Sequence, residues 1–287
     1  MDTAMIPVII LIAIGIGFIS AMFGIGGGFL LNPSMVLLLG MSVGLAVGTI
    51  PTVILMMSLS SVIAYTRQKR IDFVLTAIVV LPSIIGSILG ALTTILLPGV
   101  VVLICFGIVE IILAAILAIK KNPQELVQKA KNQAFSSDKS WFWSGTTLNR
   151  RCVDIEGTVF TYSARLTIAM PFSFLAGFLS SLLGIGGGTL YIQIFTFLCG
   201  MTIHMAIACS MLSVFVTSIS SFVTFTAVGQ VDLAVAIIFG LGGIIGAQLG
   251  ARVNKRINSR YLKPMAAIMI MVIAVNMIAF ALINNPA

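Results

Sequence analysis

The residues best placed to do chemistry in this chain are glycines. GIGGG occurs at Gly24 to Gly28, within SAMFGIGGGFLL, and again at Gly184 to Gly188, within SLLGIGGGTLY. Glycine is unfavourable inside a helix and leaves backbone N–H and C=O groups bare, which lipid cannot satisfy. A helix that breaks there and restarts at Phe29 or Thr189 turns its free N–H groups and positive dipole end toward the break. A small anion suits such an end. Neutral polar side chains stand nearby: Ser20, Ser180, Thr189, Asn32 and Gln193, with Thr49 and Cys209 on the next helix of each half. No Lys, Arg or paired carboxylate falls inside the predicted spans, so the guest is held by neutral donors that bind weakly enough to release it.

The elements that position these residues follow from composition. The 287 residues are 59% hydrophobic and 8% charged, with a mean hydropathy of +1.18, which describes an all-α, multispanning membrane protein. The first apolar run begins at Ala4 behind Asp2, with no Lys or Arg before it, so a cleaved signal peptide is not expected. Of the four cysteines (Cys105, Cys152, Cys199, Cys209), three lie in apolar runs and none forms C-x-x-C, so neither a disulfide framework nor a zinc site is indicated. No cofactor or metal is expected. The net charge of +8 would suggest nucleic acid in a soluble domain; here membrane topology accounts for it, and no nucleic-acid partner is expected.

Shifting the sequence on itself by 160 residues aligns Gly17–Ala91 with Gly177–Ala251, with 26 of 75 positions identical and no gap. The matches include both GIGGG runs, Ser58, Ser60 and Ser61 against Ser218, Ser220 and Ser221, Asp72 against Asp232, and IIGxxLGA at Ile84 and Ile244. This is an internal duplication. It divides the chain into a first membrane repeat (1–119), a polar linker (120–165) and a second membrane repeat (166–287). Within the linker, alternation around Glu156-Gly157 suggests a small β-hairpin, and Trp141 and Trp143 are candidates for the lipid interface.

Candidate spans fall at about 5–22, 29–40, 43–65, 73–97 and 100–119, and again at about 166–183, 189–200, 203–227, 233–251 and 262–283. Twelve helical residues cover only about 18 Å of a ~30 Å hydrocarbon core, so the segments around each GIGGG form a re-entrant hairpin or a long broken helix. Basic residues choose between these. All sixteen lie in RQKR at Arg67, in the linker from Lys120 to Arg165, or between Arg252 and Lys263. If residues 5–40 return to the side they entered from, all sixteen share one side, as cytoplasmic loops require. The expected arrangement is two inverted-topology repeats, each a Gly-rich hairpin plus about three spanning helices, with a cytoplasmic linker and both termini outside. Inverted repeats with interrupted helices are a recurrent plan for secondary transporters, whose breaks meet near the midplane around the substrate.

Other features read more plainly. The IIGSILGA and IIGAQLGA stretches are small-xxx-small packing faces. The serines at 58, 60, 61 and their repeats bond back to their own helices. Glu110 is the one acid well inside a predicted span and is the candidate for proton coupling. His204, near a helix start, reads as structural. Hydrolysis needs a nucleophile with a base, and a dinucleotide loop needs a preceding strand; both are missing, so an enzyme is not expected.

With these residues in view, GFISAMFGIGGGFLLNPSM and its echo GFLSSLLGIGGGTLYIQIF resemble the paired signatures of the TauE/SafE sulfite exporter family of membrane permeases. The resemblance carries over to Gly24, Gly26, Gly27, Gly28, Gly184, Gly186, Gly187 and Gly188. Asn32-Pro33 also fits the family pattern, whereas the second copy has Ile192-Gln193 there. The resemblance implies transport of a small sulfur-containing anion, such as sulfite, thiosulfate, sulfoacetate or a related organosulfonate, across a prokaryotic inner membrane. Export is favoured because one exported negative charge gains about 2.3 kcal/mol per 100 mV; the alternatives are a proton-coupled importer and an anion channel. The partners expected are the anion and the lipid bilayer, with a homodimer as a candidate assembly.

Overall fold

A computed structural model describes residues 5–94, 108, 111–112, 115, 147–153, 159–257 and 259–283. The predicted span at 100–119 falls almost wholly outside these residues, as do Glu110, Cys105, Trp141 and Trp143. In chain order the elements are α1 (Ile6–Phe23), α2 (Gly28–Pro33), α3 (Val43–Arg67), α4 (Phe73–Thr94), β1 (Thr147–Val153), β2 (Val159–Arg165), α5 (Leu166–Leu183), α6 (Gly188–Gln193), α7 (Ile203–Ala227), α8 (Leu233–Arg256) and α9 (Ser259–Ile283). Six of the described helices, α1, α3, α4, α5, α7 and α8, are long and apolar enough to cross a membrane. The chain is an all-α polytopic membrane protein, with one small strand pair among the described residues. β1 and β2 are antiparallel, Thr147 opposite Arg165 and Val153 opposite Val159.

Exposed stripes such as Leu81, Ile85, Leu89 and Leu92 on α4 would be a fault in water; in lipid they are the solvated face. The buried faces are built from small residues. α1 packs on α8, where a Cβ on Gly246 would strike the Ile14 carbonyl and one on Gly250 the Phe18 carbonyl. The same contacts recur 160 residues on, between α4 and α5, with Gly86 against Phe174 and Gly90 against Phe178. Both IIGxxLGA stretches are therefore sites of close backbone approach. In lipid, where helices gain nothing from expelling water, that approach supplies the packing attraction.

These contacts fix direction. Along α1 and α8, Ile10, Ile14 and Phe18 meet Gly242, Gly246 and Gly250 in turn, so the two helices run the same way. α3 does likewise against α8: Gly48 lies at Gln230, Ser60 Oγ donates to Ile244 O at 2.9 Å, and Gln68 Nε2 donates to Ala251 O at 3.1 Å. α1 and α3 are thus parallel. Residues 24–42 between them must carry the chain back toward the side where α1 began.

Two features depart from the expected spans. α8 continues to Arg256, and Lys255 and Arg256 in its last turn complement the negative end of the helix dipole. Each short second helix also runs into a π-helical turn, Ser34–Leu38 and Ile194–Leu198. Pro33, with no N–H to donate, stands before the first turn, but Gln193 stands before the second, so proline is not the common cause.

Candidate functional site

The glycine turns are built alike. α1 ends at Phe23; Gly24 takes a left-handed conformation (φ +73°) and its N–H donates to Ser20 O at 2.8 Å. Gly26 and Gly27 follow at φ +85° and +86°, and in the second copy Gly184, Gly186 and Gly187 lie at +66°, +88° and +62°. Side chains resist that region of the backbone map, which accounts for three of the four glycines in each run. Helix then restarts, with the N–H groups of Leu30 and Leu31 donating to Gly27 O and that of Tyr191 to Gly187 O.

The fourth glycine of each run is explained by the other run. A Cβ on Gly28 would collide with Gly184 O and lie 2.6 Å from Ile185 Cα; a Cβ on Gly188 would collide with Gly24 O and lie 2.5 Å from the Ile25 carbonyl carbon. Between these, a Cβ on Gly26 would lie 3.4 Å from Gly186 Cα. The partners are therefore 24 with 188, 26 with 186 and 28 with 184: the two glycine turns pass antiparallel, backbone to backbone, about a centre between Gly26 and Gly186. Gly27 lies against Ser20 and Ile16, and Gly187 against Ser180 and Ala176, so each segment doubles back along the helix it left. Every residue of both turns is buried.

Beside the glycines stand buried side chains with unmet hydrogen-bonding capacity. Ser20 Oγ, Asn32 Oδ1 and both amide atoms of Gln193 have no hydrogen-bond partner, and neither does Thr52 Oγ1 on α3. Ser20 is 0%, Asn32 5% and Gln193 5% exposed, so bulk solvent does not reach them. A buried, unsatisfied polar atom costs about 1–3 kcal/mol, and several within a few residues of one glycine crossing mark a place where a polar guest would complete the bonding. Ser180 and Thr189 are also buried there.

Two expected residues, Thr49 and Cys209, have hydrogen-bond partners at helix starts. Thr49 Oγ1 donates to Leu45 O at 2.7 Å and accepts from Asp232 N at 3.0 Å; Cys209, its counterpart, accepts from the Asp72 backbone N–H. Asp72 and Asp232 in turn accept from Leu75 N and Val235 N, each at 3.1 Å, and so cap α4 and α8. Thr49 and Cys209 are engaged in holding these helix starts. Asp72 also accepts from Tyr162 OH of β2, which ties the strand pair to the turn between α3 and α4. Burial, then the Asp72 contact, pushes the Tyr162 phenol up.

Some contacts were not foreseen. Ser210 Oγ on α7 donates to Gly24 O at 3.0 Å, and its counterpart Ile50 cannot do so, which makes the two turns chemically unequal. Val47 packs on Gly184 as Ile207 packs on Gly24, a symmetric pair visible in the sequence only as two aligned branched residues. Ser58, Ser61 and Ser221 bond back to their own helices, but Ser60 reaches across to α8. His204 Nδ1 pairs with Asn254 Oδ1 at 3.2 Å, and Asn254 Nδ2 donates to Met22 O at 2.7 Å, a strut between α7, α8 and α1.

Paired helix breaks meeting inside a bundle of lipid-facing helices define a membrane transport protein. The chain belongs to the sulfite exporter TauE/SafE family, whose model matches residues 9–277. It is 28% identical over 254 residues to the "Probable membrane transporter protein YunE" of Bacillus subtilis (strain 168), covering 84% of this chain and 88% of the relative. It is 26% identical over 263 residues to the "Probable membrane transporter protein ORF9" of Sinorhizobium sp, covering 92% and 88%. No solved structure matches. The chain is a transporter and not an enzyme.

Proposed function

We propose that this protein is a secondary transporter of small sulfur-containing anions, sulfite, thiosulfate, sulfoacetate or a related organosulfonate, working in the direction of export. The observation that carries this reading is the antiparallel meeting of the two GIGGG segments beside the unpartnered Ser20 Oγ and Gln193 amide. Donors there are neutral, so binding is weak enough for turnover, and the N-termini of the helices that restart at Gly28 and Gly188 supply positive potential without a fixed cation. The substrate group comprises Gly24, Gly26, Gly27, Gly28, Ser20, Asn32, Gly184, Gly186, Gly187, Gly188, Ser180, Thr189 and Gln193. The family's name supports sulfite-like chemistry. A membrane potential negative inside favours outward movement of the anion by about 2.3 kcal/mol per charge per 100 mV, with no coupling ion required.

The test is ligand-dependent stability of the detergent-purified protein against sulfite, thiosulfate, sulfoacetate, sulfate and lactate. At a concentration about 100 times Kd a true ligand stabilises by about 2.7 kcal/mol. A sulfur anion is expected to raise the melting temperature saturably; a response to lactate and to no sulfur anion overturns the substrate assignment. Trans-stimulated counterflow in proteoliposomes is expected, and its absence alongside anion flux would identify a channel.

The repeats, 1–119 and 166–287, take opposite orientations in this reading, with the 120–165 linker cytoplasmic and both termini outside an inner membrane. Support comes from Arg67 and from Arg252, Lys255 and Arg256, which line one cavity although 185 residues separate Arg67 from Arg252. In a background lacking the native cysteines, Lys69→Cys and Arg256→Cys are both expected to resist a membrane-impermeant maleimide in intact cells and to react in inverted vesicles. Labelling of Arg256→Cys from outside would defeat the proposed orientation.

A further inference from the structure

The ends of α3 and α8 line a partly open cavity of about 550 Å³ outside the glycine crossing. Its charged lining is Arg67 from the end of α3 and Arg252, Lys255 and Arg256 from the end of α8; none of the lining residues is acidic. Two amides complete the wall: Gln68, whose Nε2 donates to Ala251 O at 3.1 Å while its buried Oε1 has no partner, and Gln248, whose Nε2 donates to Ser60 O at 2.8 Å. These bonds lock α3 to α8 and fix the spacing of the cations. Of the two carboxylates among the described residues, Asp72 is bonded to Tyr162 and caps α4, and Asp232 sits at the opposite end of α8. Neither lines this cavity.

The apolar surface below the cavity identifies its occupant. One to two turns back along α3 lie Leu59 and Ile63, and along α8 Ile245 and Leu249, all between 42% and 53% exposed, an apolar surface of the kind that lipid solvates. The cations thus stand at the head of a strip of acyl-chain-compatible surface. Volume argues the same way: an anion of two or three water volumes, at ~30 Å³ each, would fill less than a fifth of the space. Three of the four cations are arginines, whose planar forks suit phosphate oxygens in pairs. Basic pockets between helices at a membrane face are suited to phosphate headgroups.

We propose that this cavity is a binding site for an anionic phospholipid, with its headgroup phosphate on Arg67, Arg252, Lys255 and Arg256 and its acyl chains along Leu59, Ile63, Ile245 and Leu249. The lipid bridges α3 of the first repeat to α8 of the second. This site is independent of the anion bound at the glycine crossing.

The test uses the full-length purified protein in a neutral detergent and follows thermal unfolding with dioctanoyl phosphatidylglycerol, dioctanoyl phosphatidylcholine, glycerol 3-phosphate and sulfite. Dioctanoyl phosphatidylglycerol is expected to stabilise saturably and the phosphatidylcholine to have no effect. The double variant Arg252→Gln/Arg256→Gln is expected to weaken apparent affinity for phosphatidylglycerol at least tenfold. Lys69→Gln, which removes an exposed cation from the same region but not from the cavity wall, should leave it unchanged. Both changes are at exposed positions, and an unchanged elution volume and lipid-free melting temperature would confirm folding. Equal responses to the two lipids, or an unchanged phosphatidylglycerol affinity in the double variant, overturn the proposal. Glycerol 3-phosphate binding as tightly as the lipid would make the ligand a soluble organophosphate; sulfite displacing the lipid at this site would make it a vestibule for the substrate. Either outcome overturns the lipid assignment.

Discussion

Replacing Gly188 with alanine is expected to cut transport at least tenfold while the protein still inserts and folds, and Gly28→Ala is expected to do the same. Neither glycine has the positive φ that would strain an alanine by itself, so the cause is space alone. A methyl group at Gly188 meets Gly24 O, the Ile25 carbonyl carbon and Gly26 N; one at Gly28 meets Gly184 O and Ile185. All of these are backbone atoms, which cannot swing aside as a flexible side chain would, so the two glycine segments must separate. Overpacking of this kind costs about 1–3 kcal/mol. The loss falls on the geometry that aims the restarting helices at the site. The two substitutions open the same crossing, so the double variant should be little worse than either single one. Gly15→Ala supplies the control: it lies in α1, faces lipid and has nothing within 4 Å of an added Cβ. It removes the entropic weakness of a helical glycine, worth about 0.5–1 kcal/mol, and should leave transport intact. Flux of a labelled sulfur anion in proteoliposomes, normalised to protein recovered by size exclusion, makes the comparison. Wild-type flux in Gly188→Ala would show that the crossing need not be tight.

The crossing was legible because it is written twice. One GIGGG says only that a helix breaks; two copies in a 160-residue register say that the breaks are equivalent. The sixteen basic residues can share one side of the membrane only if each hairpin returns. The IIGxxLGA faces were legible for a similar reason, since small residues four apart permit few arrangements other than close contact. What the sequence could not supply was the partner of each polar side chain. Thr49 and Cys209 align and stand one helix beyond the glycines, which suggested a shared guest; their hydrogen bonds go instead to the N–H groups of Asp232 and Asp72. That choice depends on how α3 crosses the start of α8, a matter of about one helical turn that periodicity does not resolve. Ser210, bonded to Gly24 O, was hidden because its counterpart is isoleucine, so the repeat gave it no emphasis. The basic cavity was hidden for the same geometric reason. Arg67 and Arg256 are remote in sequence, and only the parallel run of α3 and α8 brings their ends together.

Gln193 offers the sharper test of what the crossing holds, because stability and function should move in opposite directions. Gln193 is 5% exposed and neither polar atom of its amide has a partner, an unsatisfied donor and acceptor costing about 1–3 kcal/mol each. Leucine keeps most of the volume and removes both. Without ligand, Gln193→Leu is therefore expected to melt higher, by about 2–4 °C for each kcal/mol recovered. If the amide completes its bonding on the transported anion, the same substitution erases the stabilisation that the sulfur anion gives the wild type and lowers flux at least tenfold. Ser20→Ala should show both effects more weakly, since it removes one hydroxyl. A purely structural glutamine gives a different pattern: removing it changes stability, and whatever ligand response the protein has survives in full. Gln193→Leu that melts higher and still responds to the anion with unchanged affinity would take Gln193 out of the site. The donor role would then fall to Ser20 and the backbone N–H groups, whose repeat-related partners are Ser180 and the N–H groups of the second turn.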